Sequence, residues 1–96
     1  MDISLYAKRK EIKYFIDKVV SHFIDLHTVP TLYQIKNYIL SDKWANENVV
    51  NYEPVHVENG FEFISLTDLC KNIQNLCSFN LDDIYESKQI KLRIKE

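Results

Sequence analysis

The chain has 96 residues, 46% hydrophobic and 27% charged, with a formal net charge of −2 and a pI near 5.9. These proportions suit a single domain over residues 1–96 and exclude a disordered chain, and the near balance of charge leaves no global field drawing it to nucleic acid or acidic lipid. The lone glycine, Gly60, excludes a Gly-rich phosphate loop, and no run approaches the ~18–20 apolar residues of a membrane span.

The first long signal runs from Ile12 to Leu26. Ile12, Ile16, Val19, Phe23 and Leu26 recur at alternating spacings of four and three, the apolar stripe of a helix, and Phe15 and Val20 widen it. Leu5 falls on the same line, so the predicted helix begins near Ile3 and covers residues 3–26. His27-Thr28-Val29-Pro30 reads as a break. Thr31 follows as an N-cap, with Gln34 placed to complete a capping box, and opens a helix over residues 31–40. Leu32, Ile35 and Ile39 are expected to pack on the first helix. The text SDKWANENVVN is diluted by three asparagines, which compete with helical bonding, and is read as a short helix.

Residues 52–65 alternate as a hairpin does. A three-residue loop Glu58-Asn59-Gly60 pairs Val57 with Phe61 and Val55 with Phe63, putting all four on one buried face. His56 and Glu62 then face outward, and Gly60 takes a positive φ. Ser65 caps a third helix over residues 66–78, with Asp68 in its first turn and Leu66, Leu69, Cys70, Ile73, Leu76 and Cys77 on its apolar side. Asn80 restarts a short helix through Leu81, Ile84 and Tyr85. The tail QIKLRIK alternates strictly and predicts a strand at residues 89–94. These elements predict an α+β fold: three main helices packed on a small three-stranded antiparallel sheet.

Catalytic and metal chemistry find no foothold in the spacing. Cys70 and Cys77 are two helical turns apart, about 10 Å at 1.5 Å per residue, too far for a disulfide and wrong for a zinc knuckle. They are expected to be free, buried thiols of an intracellular, cytoplasmic protein, in keeping with an N-terminus that lacks the order of a signal peptide. His22 and His27 diverge around the first helix. Asp82-Asp83 reads as first-turn acid in a helix. No catalytic residue, metal or cofactor is expected.

Two surface features remain. Tyr33, Asn37 and Leu40 lie opposite the inward residues of the second helix, and Trp44 extends their line. Tyr and Trp are enriched at protein contacts, so these four residues are the expected partner-binding surface, for another protein or a second copy of the chain. Lys8, Arg9, Lys10 and Lys13 form a basic cluster, suited to an anion or to nucleic-acid phosphates.

The stretch FIDKVVSHFIDLHTVPTLYQIKNYIL resembles the opening of a winged helix–turn–helix of the bacterial repressor kind. That resemblance implies a DNA-binding regulator, with the hairpin at residues 54–64 as its wing. It places the recognition helix in SDKWANENVVN, where one lysine stands beside two acids, although DNA-reading helices bring several cations. The first expectation is therefore a non-catalytic protein-binding module, an adaptor, inhibitor or regulator, and the DNA-binding regulator is the alternative.

Overall fold

The structure, a computed structural model, describes the backbone of residues 3–95 and the side chains of residues 3–80. Its elements are β1 (Ser4–Lys8), α1 (Arg9–Asp25), α2 (Leu32–Ser41), α3 (Lys43–Glu47), β2 (Val49–Val50), β3 (Phe61–Ser65) and α4 (Leu66–Lys95). The strands make one antiparallel sheet in the order β2-β1-β3. The α+β class and the three-stranded antiparallel sheet agree with expectation, but two of the three strands come from unexpected parts of the chain.

The central strand is the first surprise. Ser4–Lys8 was expected to be the opening of the first helix, and it is extended instead. Leu5 fits the helical stripe of α1, but Leu5 and Ala7 also fit the two-residue period of a strand, and five residues do not separate the two periods. Pairing decides it. As a strand, this segment buries Leu5 and Ala7 in the main core while its backbone bonds on both sides. The chain then turns into α1 without a side-chain cap at Lys8, and the Arg9 N–H donates to the Gly60 carbonyl at 2.8 Å.

The expected hairpin is absent. Residues 53–57 form no strand, and β3 pairs with β1, from Ser4↔Ser65 to Lys8↔Phe61. Glu62 and Ile64 therefore share the face of Leu5 and Ala7, and Phe61 and Phe63 point to the other. This reverses the predicted facing. Val55 is fully exposed and Val57 is exposed, because the strand chosen by β3 is the one that already carries core residues. The turn chemistry was nevertheless read correctly: Gly60 holds φ +87°, and the Phe61 N–H donates back to the Glu58 carbonyl at 3.0 Å.

The third difference is the tail. Residues 89–94 belong to α4 rather than to a strand. Their alternation is only six residues long, and four of the six, Gln89, Lys91, Leu92 and Arg93, are good helix formers that outnumber the β-branched Ile90 and Ile94. The restart at Asn80 is also absent, since the Asn80 side chain donates to the Leu76 carbonyl one turn back, at 2.7 Å. A continuous helix of 30 residues spans ~45 Å at 1.5 Å per residue. The radius of gyration is accordingly 16.2 Å, above the ~12–13 Å of a compact chain this long.

Helix boundaries elsewhere follow local chemistry. His27 takes φ +54° just past the end of α1, the left-handed stop that glycine usually supplies. Thr31 and Gln34 close the predicted capping box at 3.1 and 2.9 Å. Ser65 Oγ accepts from the Asp68 N–H at 3.1 Å and starts α4. Asp42 does the same for α3 through the Ala45 N–H at 3.1 Å. The asparagines that shorten α3 bond to backbone as expected, Asn46 to the Leu40 carbonyl and Asn48 to the Trp44 carbonyl.

One core joins these elements. Leu5, Ile12, Val19, Ile35, Ile39, Leu69, Ile73 and Cys77 are fully buried, each stabilising the fold by ~1.5–3 kcal/mol relative to exposure for the larger aliphatic chains. The helices gather on the Leu5 and Ala7 side of the sheet. α2 is expected to pack on α1, but it lies chiefly against α4 and touches α1 only lightly. Its Ile35 and Ile39 are buried, but Leu32 is exposed, as is Leu26 at the end of α1. His22 stacks on Tyr38 at 4.5 Å and Phe23 meets the same ring edge-on, so α1 and α2 touch through aromatics. Gln74 donates to the carbonyl of buried Pro30 at 3.0 Å and pins the α1–α2 corner to α4.

Candidate contact surface

The stripe expected on α2 divides. Tyr33 is 74% exposed and Asn37 is exposed, while Leu40 and Trp44 are half-buried against the core. The Trp44 ring sits 5.2 Å from that of Phe15, so the chain itself covers one side of the indole. Tyr33 lines a groove of about 350 Å³ with Ile3, Leu32, Lys36, Leu66 and Cys70. Trp44 lines a different hollow with Tyr14 and Phe15. The structure therefore does not bring the four residues together as one apolar patch.

Beside Trp44, Lys18 and Asp42 form an ion pair at 3.1 Å. Burial pushes the Asp42 carboxyl up, but the Ala45 N–H and the Lys18 ammonium outweigh it and hold the carboxyl below its ordinary value. In turn the Asp42 carboxylate, accepting from Lys18, raises the Lys18 ammonium. This pair ties α1 to the start of α3, a structural task.

The basic cluster divides in the same way. Lys8, Arg9 and Lys10 border a hollow with Asn59, Gly60 and Phe61. Arg9 is engaged, its Nε 3.1 Å from Glu62 Oε1. Lys13 lies along the exposed side of α1 and does not line that hollow. The hairpin that the winged-helix resemblance would use as its wing is absent, and α3 carries one lysine, Lys43.

Cys70 and Cys77 are free and buried, as expected, and burial pushes both thiols up. Among the described residues no group of three His, Cys, Asp or Glu side chains is placed to hold a metal ion, and no helix is long and apolar enough to cross a membrane.

A different surface emerges at β3. Arg9 N–H donates to Gly60, and Leu66 N–H donates to the Ile3 carbonyl at 2.9 Å, at the two ends of the β1–β3 ladder. With the observed register, this parity turns the backbone groups of Glu62 and Ile64 toward β1 and those of Phe61, Phe63 and Ser65 away from it. The Phe61 N–H is taken by the Glu58 carbonyl; Ser65 caps α4 through its side chain, and the carbonyl of an N-cap residue is the acceptor for the first helical bond. Phe61 C=O, Phe63 N–H and C=O, and Ser65 N–H have no protein partner among the described residues.

The other edge of the sheet is not comparable, because β2 has only two residues. The outer face beside the open edge carries half-exposed Tyr6, Phe61 and Phe63. The connection from β2 to β3 crosses this face, where the Glu58 N–H donates to the Tyr6 hydroxyl at 3.3 Å, and it exposes Tyr52, Val55 and Val57 nearby. Sequence reasoning assigned Phe61 and Phe63 to the core and so missed this surface. One local signal was present: FEFIS contains neither lysine nor proline, the residues that usually blunt a strand edge.

In comparisons with protein-family models, curated proteins and solved structures, nothing matches this chain.

Proposed function

We propose that this chain is a small non-catalytic module that works by protein contact, as an adaptor, inhibitor or regulator, through the open edge and outer face of its sheet. The observation that supports this is the coincidence, on β3, of unpaired backbone groups with the half-exposed rings of Phe61 and Phe63. An edge with free donors and acceptors recognises an extended segment through main-chain bonds, and flanking aromatic rings supply apolar area for its side chains. The exposed apolar residues of the 51–60 connection enlarge the same surface.

The test compares three substitutions in capture of partners from the cell extract of the source. Phe61→Asp and Val55→Asp alter the proposed surface. Tyr33→Asp alters the exposed side of α2. The reading predicts that a bound protein is lost with the first two and retained with the third. Retention with the first two and loss with Tyr33→Asp would move the function to α2.

A further inference from the structure

Resting on this reading, we infer that the occupant of the β3 edge is a second copy of the chain, paired antiparallel about a two-fold axis at Phe63. Among the described residues the free groups of the edge are two donors, Phe63 N–H and Ser65 N–H, and two acceptors, Phe61 C=O and Phe63 C=O. They are self-complementary. Placing Phe63 opposite its own copy lets each Phe63 N–H donate to the other Phe63 carbonyl. Each Ser65 N–H then donates to the Phe61 carbonyl of the other chain. Each of these groups is used, and the two left out are Phe61 N–H, already bonded to Glu58, and Ser65 C=O, which as an N-cap carbonyl belongs to the first bond of α4.

The side chains agree with this register. Phe61 meets Ser65, Glu62 meets Ile64 and Phe63 meets Phe63, so no like charges stand opposite one another. Two Phe63 rings become neighbours on the outer face, and the two sheets join as β2-β1-β3-β3-β1-β2. A five-residue edge covers less than the ~800 Å² per partner of a standard interface, so the association is reversible and concentration-dependent.

The experiment is sedimentation velocity of the full chain from about 10 µM to about 1 mM, spanning the affinity range of weak complexes. It uses the unaltered protein, Phe63→Lys, Phe63→Glu and an equimolar mixture of the two variants, with circular dichroism to establish that each is folded. The unaltered chain is expected to pass from monomer to dimer. Each variant alone is expected to associate at least about tenfold more weakly, because like charges meet at the axis, and the mixture recovers association. Amide exchange of the unaltered protein provides a reading that needs no variant. Phe63 and Ser65 amides should exchange more slowly in the concentrated sample, with no change at Glu62 and Ile64, which already face β1.

A chain that stays monomeric throughout overturns the second copy but not the module reading, which is judged by partner capture. Dimerisation unaffected by either variant, with no change at the Phe63 amide, overturns this edge as the interface.

Discussion

The rings of Tyr6 and Phe61 lie 5.3 Å apart with their planes inclined by 30°, on the face of the sheet opposite Leu5 and Ala7. They belong to different strands and sit diagonally across the β1–β3 ladder. With the Tyr6 hydroxyl accepting from Glu58, they hold the start of β3 and the turn before it in place. The open edge is thus presented by a braced strand.

Tyr6→Ala should destabilise the chain by about 2 kcal/mol, combining lost apolar burial with an aromatic pair worth ~0.5–1.5 kcal/mol. Tyr6→Phe keeps the ring and should cost only about 0.5–1 kcal/mol for the single exposed hydrogen bond. Urea denaturation of the two variants measures the difference. Equal losses would show that the ring contributes nothing.

Trp44 tests how far α2 and α3 complete their own packing. Its contact with Phe15 predicts that Trp44→Ala lowers stability by about 2–3 kcal/mol, less than truncating a fully buried aromatic. Native fluorescence should be blue-shifted in a dilute monomer. Unchanged stability and solvent-like emission would return Trp44 to the surface role that the sequence suggested.

Two backbone positions make opposite predictions. His27 holds φ +54° with a side chain, so His27→Gly should stabilise by about 1 kcal/mol. Gly60 holds φ +87° with open space around it, so Gly60→Ala should destabilise by about 1 kcal/mol through backbone strain alone. Thermal melts of both variants check the pair of signs.

The buried thiols set the alkaline limb of stability. Burial raises Cys70 and Cys77 above the ordinary 9.0, so the folded state holds their protons more tightly than the unfolded one. Their contribution is present below pH ~9 and is lost as pH climbs from there through the folded values. The Cys70→Ala, Cys77→Ala double variant should begin less stable at pH 7 and lose this alkaline slope. Denaturant midpoints across pH 7–10 test it, and an unchanged slope would assign the loss to other groups.

What was legible in the sequence was local. The capping box of Thr31 and Gln34, the Ser65 cap, the positive φ at Gly60 and the two free, buried thiols each depend on neighbours within a few residues or on one helix face. What was not legible was the partner of each strand. Leu5 satisfies both a helical and an extended period, and β3 pairs across the whole length of the intervening chain with β1. Val55, Val57, Phe61 and Phe63 alternate as a hairpin would, yet the core already lay on the other side of the ladder. That reversal carried the contact surface with it: the rings assigned to the interior stand at the open edge. On α2 the helical spacing correctly placed Tyr33 and Asn37 outside, but the turn at Asp42 swung Trp44 onto Phe15.

The most direct test of self-pairing through the sheet edge is a concentration series of amide ¹H–¹⁵N spectra. The predicted result is that the Phe63 and Ser65 amides shift most, followed by Tyr6 and Phe61, while Tyr33 and Asn37 stay fixed. Shifts centred on Tyr33 and Asn37, with Phe63 and Ser65 unmoved, would contradict it.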